Sequence, residues 1–545
     1  MKTRIAGGRV IDPANGRDEI GDIWISDGRI IEAPPPGTTP DASYDAAGKI
    51  VMAGAIDIHS HIAGWNVNTA RLLLPEFHRA AAARPAATPL SNAGWSTFAT
   101  GCLYAQMGFT TVVEPAVSPH YALHAHLELA DIPIIDKATL AVLGNDDFLL
   151  GLMRERDSGS AVEDYVAWTL DATRSLGVKV VNAGGSLALK ANVRQFAFDD
   201  VVPHYGVSSR EIVKTLQRAT HALGVPHPLH VHCNNLGMAG SDASALTTIA
   251  AAEGLPLHLA HLQFYGYGKE GARGFSSAAP RLAEAVNAAK SVTIDVGQVM
   301  FGQTVTISLD TLRQFNSRGH ARPRKWVLLE GDANGAGIVP YDYRASDFYN
   351  AVQWAAGLEL FLLIDDPWRV FFTTDHPNGA PFTTYPDIFA LLMDRDLRAQ
   401  QIAALPPDAM AVTTLPAITR EYTLTEIATM TRAAPARLLG LTDRGHLGAG
   451  AIGDVAVYAD ERDRAKMFRA AALVFKDGEL VVREGAVTGY RWGRALTVRP
   501  ARDRAIDQRM TRYYEDRYGL SDAFLKVPDR AIGRPEPFEL VRCAR

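Results

Sequence analysis

The sequence predicts an α/β protein in which a large parallel β/α part is flanked by a smaller β-domain built from both chain ends. Between about residues 51 and 420, strand-like runs alternate with helical stretches, a pattern typical of parallel sheets. The first fifty residues and the segment 454–483 consist instead of short β-branched runs divided by turns. At 545 residues the chain can form one large barrel with a smaller domain, or three modest domains.

The elements follow one another in a simple order. The dipeptide Asp27-Gly28 lies between two β-branched runs and predicts a hairpin. The strands expected in the parallel part are Thr110-Thr-Val-Val, Val178-Lys-Val-Val, Leu229-His-Val-His, Leu257-His-Leu-Ala-His, Val292-Thr-Ile-Asp-Val and Val370-Phe-Phe-Thr-Thr. We therefore assign residues 1–50 and 421–490 (with a helix around 424–439) to the β-domain, 51–420 to the parallel part, and 491–545 to an extension that covers the surface or contacts a partner.

Composition excludes several classes of protein. The formal net charge of −5 argues against a nucleic-acid binder, which usually carries a basic excess. Cys102, Cys233 and Cys543 form no Cys-x-x-Cys pair, so neither a disulfide framework nor an iron–sulfur cluster is expected. The first residues lack the apolar core of a signal peptide, and no stretch approaches the roughly 20 apolar residues of a membrane span. We therefore expect a cytoplasmic protein.

Two histidines follow the first strand of the parallel part, in Gly54-Ala-Ile-Asp-Ile-His-Ser-His. Residues two apart on a strand project to the same face, so His59 and His61 can hold one metal ion between them. Barrel active sites lie at the C-terminal ends of strands, where this pair is expected. A His-x-His pair alone is a weak signal, and it gains weight from the residues that follow downstream.

A lysine lies inside the apolar strand Gly177-Val-Lys-Val-Val. A buried ammonium group is costly, so Lys179 is either ion-paired or snorkelling, or carboxylated on its side-chain nitrogen. A carboxylated lysine carries a carboxylate that can bridge two metal ions. In the company of the histidines around it, Lys179 is predicted to be the bridge.

Two later strands supply more histidines. His232 lies nearer the C-terminal end of its strand than His230, so His232 is the predicted ligand and His230 a supporting or packing residue. His258 and His261 point to opposite faces of a strand, and the later one, His261, is the better ligand candidate. His258 is predicted to be structural.

Asp375 ends the last expected barrel strand, in Thr373-Thr-Asp-His-Pro-Asn-Gly. Alone, this aspartate would be a helix cap or a turn residue. After the ordered series of histidines and lysine it is the expected last ligand and proton shuttle. The complete predicted ligand set is His59, His61, Lys179, His232, His261 and Asp375.

These residue types fit catalytic zinc, which prefers imidazole nitrogen and carboxylate oxygen and keeps a position open for water. Two zinc ions can share a hydroxide and polarise a carbonyl, and Asp375 can carry the proton to a leaving amine. Iron or manganese fits the same groups with less preference.

The motifs resemble the amidohydrolase superfamily, with its (β/α)8 TIM-like barrel, flanking β-sandwich and binuclear metal centre. A closer resemblance, over about residues 1–490, is to the A-subunit family of formylmethanofuran dehydrogenase. It is carried by Ala55-Ile-Asp-Ile-His-Ser-His, Lys179-Val-Val-Asn-Ala-Gly-Gly, His230-Val-His-Cys-Asn-Asn, His258-Leu-Ala-His-Leu-Gln and Thr373-Thr-Asp-His-Pro-Asn-Gly. Members of that family hydrolyse or form the N-formyl bond of formylmethanofuran.

The resemblance implies a function and partners. The composition, rich in Ala and Arg, favours the bacterial branch, whose members belong to a formyltransferase/hydrolase complex that releases formate during formaldehyde oxidation. His59 and His61 would bind one zinc, His232 and His261 the other, and N6-carboxylated Lys179 would bridge them. Asn234 and Asn235 replace the acidic residue usual in cyclic amidases. They are candidate substrate contacts, with a strand-end turn as an equal alternative.

Three other functions remain open from the sequence. The same site could run in the formate-condensing direction within a dehydrogenase complex, or the chain could be a stand-alone cyclic amidase. A catalytically inactive scaffold is the third alternative, and the complete ligand set argues against it. The Arg-rich extension could bind a partner or lie as a solvated tail.

Overall fold

The computed structural model describes residues 1–76, 96–155, 159–331, 335–534 and 537–544. The Pro- and Ala-rich stretch 82–90, which its composition predicts to be a loop, lies outside the described residues. Over the described part, no helix is long and apolar enough to cross a membrane.

The strands described are β1 Lys2–Asp12, β2 Arg17–Ser26, β3 Arg29–Ile31, β4 Ala42–Asp45, β5 Lys49–Ala53, β6 Ala55–Asp57, β7 Phe109–Val117, β8 Asp136–Leu143, β9 Gly177–Val181, β10 His230–His232, β11 Leu257–Leu259, β12 Tyr267–Gly268, β13 Ser276–Ser277, β14 Val292–Asp295, β15 Gly302–Ser308, β16 Val327–Leu329, β17 Ala336–Tyr343, β18 Val370–Phe371, β19 Val455–Ala459, β20 Leu473–Lys476, β21 Glu479–Arg483, β22 Ala486–Val487, β23 Ala495–Thr497 and β24 Phe538–Leu540.

The α-helices described are Trp65–Leu73, Thr97–Gln106, Ala122–Asp131, Asp147–Arg154, Gly159–Thr173, Gly185–Lys190, Ser209–Ala222, Asp242–Ala251, Ala279–Ala288, Thr311–Ser317, Phe348–Leu363, Tyr385–Met393, Arg395–Ala403, Pro407–Met410, Leu424–Ala428, Ala434–Leu438, Arg464–Arg469 and Ala505–Tyr518. The turn Thr429–Ala433 is a π-helix that joins two of them into one helical stretch, where the sequence predicts a helix.

The parallel part is a β/α barrel. Its strands run in the order β6-β7-β8-β9-β10-β11-β14-β18, and every neighbouring pair is parallel. A parallel bridge between Ser60 and His376 joins the ends of the first and last strands, and the His61 N–H donates to the His376 carbonyl at 2.8 Å. Strands β7, β8 and β9 are buried along their whole length, as expected for strands covered on both faces. The predicted fold class is confirmed.

An antiparallel sheet, in the order β15-β17-β16, interrupts the barrel between β14 and β18. The sequence pattern did not predict it. Its residues Thr306, Val339, Tyr341 and Tyr343 line the cavity at the C-terminal mouth of the barrel, so this insertion forms one wall of the site.

The flanking β-domain is a nine-stranded sheet from both chain ends, in which β5 near the start pairs with β19 near the end. The predicted hairpin at Asp27-Gly28 joins β2 to β3, and both turn residues have positive φ (50° and 79°). A second Asp-Gly turn, Asp477-Gly478, joins β20 to β21 and packs against the Asp27-Gly28 turn. A Cβ on Gly28 would lie 3.1 Å from the Asp477 carbonyl, so glycine is required there.

The segment after residue 490 lies on the same chain's barrel. Strand β23 pairs in parallel with the start of β8, and β24 pairs with β23. The helix Ala505–Tyr518 buries Ile506, Met510 and Tyr514 within the main hydrophobic core. Contact of this segment with another protein stays a prediction.

Asp136, at the start of β8, joins three parts of the chain. Its side chain accepts hydrogen bonds from Lys476 Nζ at 2.8 Å, from Arg444 Nε at 2.9 Å and from the Arg494 backbone N–H at 2.8 Å. Burial opposes its charge, but the neighbouring cations hold the pKa of Asp136 below its usual range. One buried carboxylate of the barrel thereby binds the flanking sheet through Lys476, the segment before it through Arg444 and the C-terminal segment through Arg494.

Candidate metal centre

The predicted ligands gather at the C-terminal mouth of the barrel. His59 and His61 follow β6, Lys179 lies in β9, His232 ends β10, His261 follows β11 and Asp375 follows β18. All six side chains are buried, at 4% exposure or less. The structure thus brings together every ligand that the sequence predicts.

His59, His61 and Asp375 form the tightest part of the cluster. Asp375 Oδ1 lies 3.0 Å from His59 Nε2 and 3.3 Å from His61 Nε2. One ligand atom from each of the three lies within 4.8 Å of the others, so a single cation can contact all three. The nearby histidines hold the pKa of Asp375 well below its usual range against the opposing effect of burial, which keeps it a carboxylate.

Glu114, on β7, orients His61. Its Oε1 lies 2.9 Å from His61 Nδ1, and its Oε2 accepts the backbone N–H groups of Ile62 at 2.6 Å and Ala63 at 3.1 Å. Burial lowers the pKa of His61, but Glu114 and Asp375 outweigh it and raise the pKa to about 9. A carboxylate on Nδ1 leaves Nε2 to face the cluster, as in the carboxylate–histidine–metal arrangement.

Asp295, at the end of β14, orients two of the predicted ligands at once. Its Oδ2 lies 2.9 Å from His59 Nδ1 and 3.0 Å from His258 Nε2, and its Oδ1 accepts the His261 backbone N–H at 2.6 Å. The histidines hold the pKa of Asp295 far below its usual range despite its burial. His261 has a φ of 34°, a left-handed conformation that this backbone bond fixes in place.

His232 and His261 form the second half of the cluster. His261 Nε2 lies 3.0 Å from His232 Nδ1, and the other ring nitrogen of His232 lies 3.2 Å from Asp310 Oδ2. Burial lowers the pKa of both histidines, so both are neutral and able to bind a metal. Asp310 also caps the helix Thr311–Ser317 by accepting the Arg313 N–H at 2.9 Å.

Lys179 lies between the two halves. Its Nζ is 3.1 Å from His59 Nε2, and the side chain lines the same cavity as His61, His232 and Asp375. Burial lowers the pKa of Lys179 to about 8. A neutral amine is the form that reacts with carbon dioxide, so the environment of Lys179 suits carboxylation.

His230 and His258 lie deeper in the barrel. His230 Nε2 is 3.2 Å from His59 Nδ1, and His258 contacts Asp295 and, through Nδ1, Thr293 Oγ1 at 2.9 Å. Both side chains are fully buried. His230 also lies with His59 and Asp295 in a group whose ligand atoms are within 4.8 Å of one another, so the supporting roles of His230 and His258 stay predictions.

Asn234 and Asn235 do not reach the cavity among the described residues. Asn234 donates to Asn182 Oδ1 at 2.8 Å and accepts from Ser209 Oγ at 3.2 Å. Asn235 has a φ of 62° and donates to Ser244 Oγ at 3.1 Å. This geometry favours the strand-end turn, and a substrate contact by either residue stays a prediction.

The donor set fits a metal centre. Asp375 Oδ1 and His261 Nδ1 are buried without a hydrogen-bond partner among the described atoms, which is costly unless another ligand satisfies them. The inward-facing donors are imidazole nitrogens and a carboxylate, the groups that zinc and similar divalent metals prefer. Glu114, Asp295 and Asp310 contact this set but were not predicted from the sequence. Asp295 ends a barrel strand, which is a position typical of metal ligands.

The cluster of predicted ligands opens into a cavity of about 510 Å³. Several aromatic side chains lie on its walls, and Arg313 is a charged residue on the wall beyond the cluster. The aromatic lining residues are Phe264, Phe275, Tyr341, Tyr343 and Tyr349. The volume is of the size that small-molecule sites usually have, so the cluster lies at the end of a substrate-sized cavity.

Known proteins are similar in sequence to this chain over most or all of its length. Residues 43–487 match the model of the amidohydrolase family. This chain belongs to the amidohydrolase family. The A subunit of the formyltransferase/hydrolase complex Fhc of Methylorubrum extorquens is 51% identical to this amidohydrolase, and the match covers 100% of both chains. Protein FwdA of Methanocaldococcus jannaschii is 36% identical, over 96% of this chain and 97% of its own.

Solved structures agree with these relationships. A crystal structure of the FhcABCD complex from Methylorubrum extorquens with methylofuran contains a chain that matches this amidohydrolase with a TM-score of 0.95 and 51% identity over 100% of both chains. The N-acyl-D-glutamate deacylase of Bordetella bronchiseptica, at 18% identity and a TM-score of 0.52 over 90% of this chain and 98% of its own, shares the fold. The resemblance predicted from the motifs is therefore confirmed at the level of the family.

Proposed function

We propose that this amidohydrolase hydrolyses the N-formyl amide of formylmethanofuran, or of a close analogue, to formate and the free amine. It would act as the catalytic subunit of a cytoplasmic formyltransferase/hydrolase complex in formaldehyde oxidation. The full-length relationship to the A subunit of Fhc, at 51% identity, supports both the reaction and the partners. The crystal structure of that relative's complex with methylofuran supports the class of amine carrier.

One observation carries the catalytic part of the proposal. Asp375 Oδ1 is buried, has no hydrogen-bond partner among the described atoms and lies within 3.3 Å of two histidine nitrogens. It also lines the cavity, so it can contact a bound substrate. A carboxylate in this position can accept a proton at Oδ1 from water and deliver it to the leaving amine nitrogen.

The ligand set would hold two zinc ions. His59, His61 and Asp375 would bind the first, His232 and His261 the second, and N6-carboxylated Lys179 would bind both. When bound, the metals would supply Lewis-acid activation of the formyl carbonyl and lower the pKa of water.

The remaining residues position the reacting groups. Glu114, Asp295 and Asp310 accept hydrogen bonds from the outer nitrogens of His61, His59 and His232, which fixes each ring and directs its inner nitrogen toward the cavity. Tyr341 and Tyr343 line one wall of the cavity in which the amide would lie. The chain's contribution is therefore a preorganised set of donors and a proton carrier.

The test is formate release from formylmethanofuran by the purified protein and by Asp375→Asn, with zinc measured by elemental analysis. General acid–base catalysis typically contributes about 10²–10⁴-fold, so Asp375→Asn is expected to slow formate release by that factor. Asp396→Asn, the same change at an exposed position, should leave the rate unchanged. Formate release by Asp375→Asn near the wild-type rate would refute the proposed role.

A further inference from the structure

The side chain of Arg313 is a cation with almost no protein partner. It lies on the helix Thr311–Ser317 and lines the cavity that contains the metal cluster. Its guanidinium makes one long hydrogen bond, from Nη2 to the Gly237 carbonyl at 3.4 Å. Among the described residues, no carboxylate lies within ion-pair distance of it. A guanidinium has five N–H donors, so most of its capacity is unused.

Three other buried arginines of the described chain each make several hydrogen bonds or ion pairs. Arg444 pairs with Asp136 and Glu539, and Arg398 donates to three backbone carbonyls. Arg432 donates to the Ala53 carbonyl and to the Tyr458 and Thr431 hydroxyls. Arg313 differs from these arginines because its donors face a cavity instead of protein acceptors.

Asp347 and Asp375 line the same cavity and Asp310 caps the helix of Arg313, but among the described residues none of the three lies within ion-pair distance of its guanidinium. Tyr341 accepts from Asn350 at 3.1 Å, and Tyr343 donates to the Asn378 carbonyl at 3.3 Å, so both hydroxyls are engaged. Asp347, also on the wall, caps the helix Phe348–Leu363 by accepting the Asn350 N–H at 3.0 Å. A ligand with an anionic group would therefore find Arg313 free.

We propose that Arg313 is a carboxylate-binding residue of this cavity, which takes either the released formate or a carboxylate carried by the amine product. A guanidinium presents two parallel N–H groups that match the two oxygens of a carboxylate. Both sources offer the same chemistry. The inference rests on the proposed function for the identity of the products, but carboxylate binding itself requires no turnover.

The experiment is isothermal titration calorimetry of the zinc-loaded full-length protein with three probes: formate, benzylamine and 4-(aminomethyl)benzoate. The two amines differ only in a carboxylate. Each probe is titrated into the wild type, Arg313→Met and Arg313→Lys. Arg318→Gln is the matched control, because Arg318 follows the same helix but packs on Phe315 outside the cavity lining.

If Arg313 binds formate, Arg313→Met raises the formate Kd about tenfold or more, as expected for loss of a charge-assisted contact. If it binds a carrier carboxylate, the same variant raises the Kd of 4-(aminomethyl)benzoate by that factor and leaves benzylamine and formate unchanged. Arg313→Lys keeps the positive charge but lacks the two parallel N–H groups, so it gives an intermediate loss of carboxylate affinity in either case. Arg318→Gln leaves every Kd unchanged.

Equal binding of formate and of 4-(aminomethyl)benzoate by the wild type and Arg313→Met, or no binding of either by the wild type, would overturn the inference. Because the readout is binding of products, a chain that fails to hydrolyse formylmethanofuran would still show whether Arg313 binds a carboxylate. Failure of the proposed function and failure of this inference are thereby distinguished.

Discussion

Asp295 Oδ2 lies 2.9 Å from His59 Nδ1, while the other oxygen of the same carboxylate holds the backbone of His261 at 2.6 Å. One side chain at the end of β14 therefore positions a predicted ligand of each half of the cluster. With Nδ1–H donated to Asp295, the His59 Nε2 lone pair faces Asp375 and Lys179. Asp295 is a positioning residue that acts through the ligands.

Replacement of Asp295 by Asn is expected to lower zinc affinity by about 10–100-fold, as is typical for loss of a partner of a metal-binding histidine. An asparagine side chain has one accepting oxygen, whereas Asp295 accepts from His59, His258 and the His261 backbone. The measurement is zinc per chain after dialysis against graded chelator. Asp146 is a buried carboxylate that caps another helix, and the protein with Asp146→Asn should retain zinc like the wild type. Wild-type zinc affinity in Asp295→Asn would contradict the assignment.

Reconstitution of the metal-free protein tests the bridge. If Lys179 is carboxylated, recovery of formate release after addition of zinc should be faster and more complete with bicarbonate than in carbon dioxide-free buffer. Lys179→Met should recover little activity and show no response to bicarbonate. Identical recovery of the wild type in both buffers would argue that the lysine binds without carboxylation.

The sequence predicted the residues that gather in the cluster better than it predicted the carboxylates that contact them. The ligands were recognisable because each belongs to a local pattern, such as His-x-His after a strand or Asp375 before a turn. Glu114 and Asp310 could not be recognised, because their role exists only through contacts with His61 and His232 across 53 and 78 positions. No local pattern records such a distance.

Two parts of the fold were missed for a related reason. The strands of the sheet β15-β17-β16 pair antiparallel and the one α-helix described among them, Thr311–Ser317, is short, so the β/α alternation of a parallel barrel does not mark this sheet. Strands β23 and β24 are three residues each, and the helix Ala505–Tyr518 lies between them. Such short strands give only a weak alternation of apolar and polar residues. Their register is set by β8, far away in the sequence.

Asp136→Asn is expected to lower the free energy of unfolding by about 3–5 kcal/mol, because it leaves Lys476 and Arg444 buried with less counter-charge. Urea denaturation followed by circular dichroism is the measurement. The exposed pair Asp387–Arg469 provides a matched control, and Asp387→Asn should cost about 0–1 kcal/mol. Equal losses in the two variants would contradict a special role for the buried cluster.

Lys137 should make stability depend on pH. Burial lowers the pKa of Lys137 to about 7 from 10.5, and its Nζ donates to the Ile132 and Gly493 carbonyls at 3.1 Å. Between pH 7 and 10.5 the unfolded chain binds more protons at this lysine, so this lysine raises stability as pH rises, by up to about 1.4 kcal/mol per pH unit. The measurement is the difference in unfolding free energy between wild type and Lys137→Met at pH 7 and 9.5. A difference that does not change with pH would refute the buried, deprotonated state.

The junction of the first and last barrel strands has a consequence for biogenesis. Thr373 Oγ1 donates to the His59 carbonyl across 314 positions, so the first ligands meet the last only after most of the chain has been synthesised. A nascent chain that stops before β18 carries His59 and His61 without Asp375. A metal ion that binds only the complete ligand set would stabilise the closed barrel after β18 has folded. At a free metal concentration a hundredfold above Kd, this stabilisation would be about 2.7 kcal/mol.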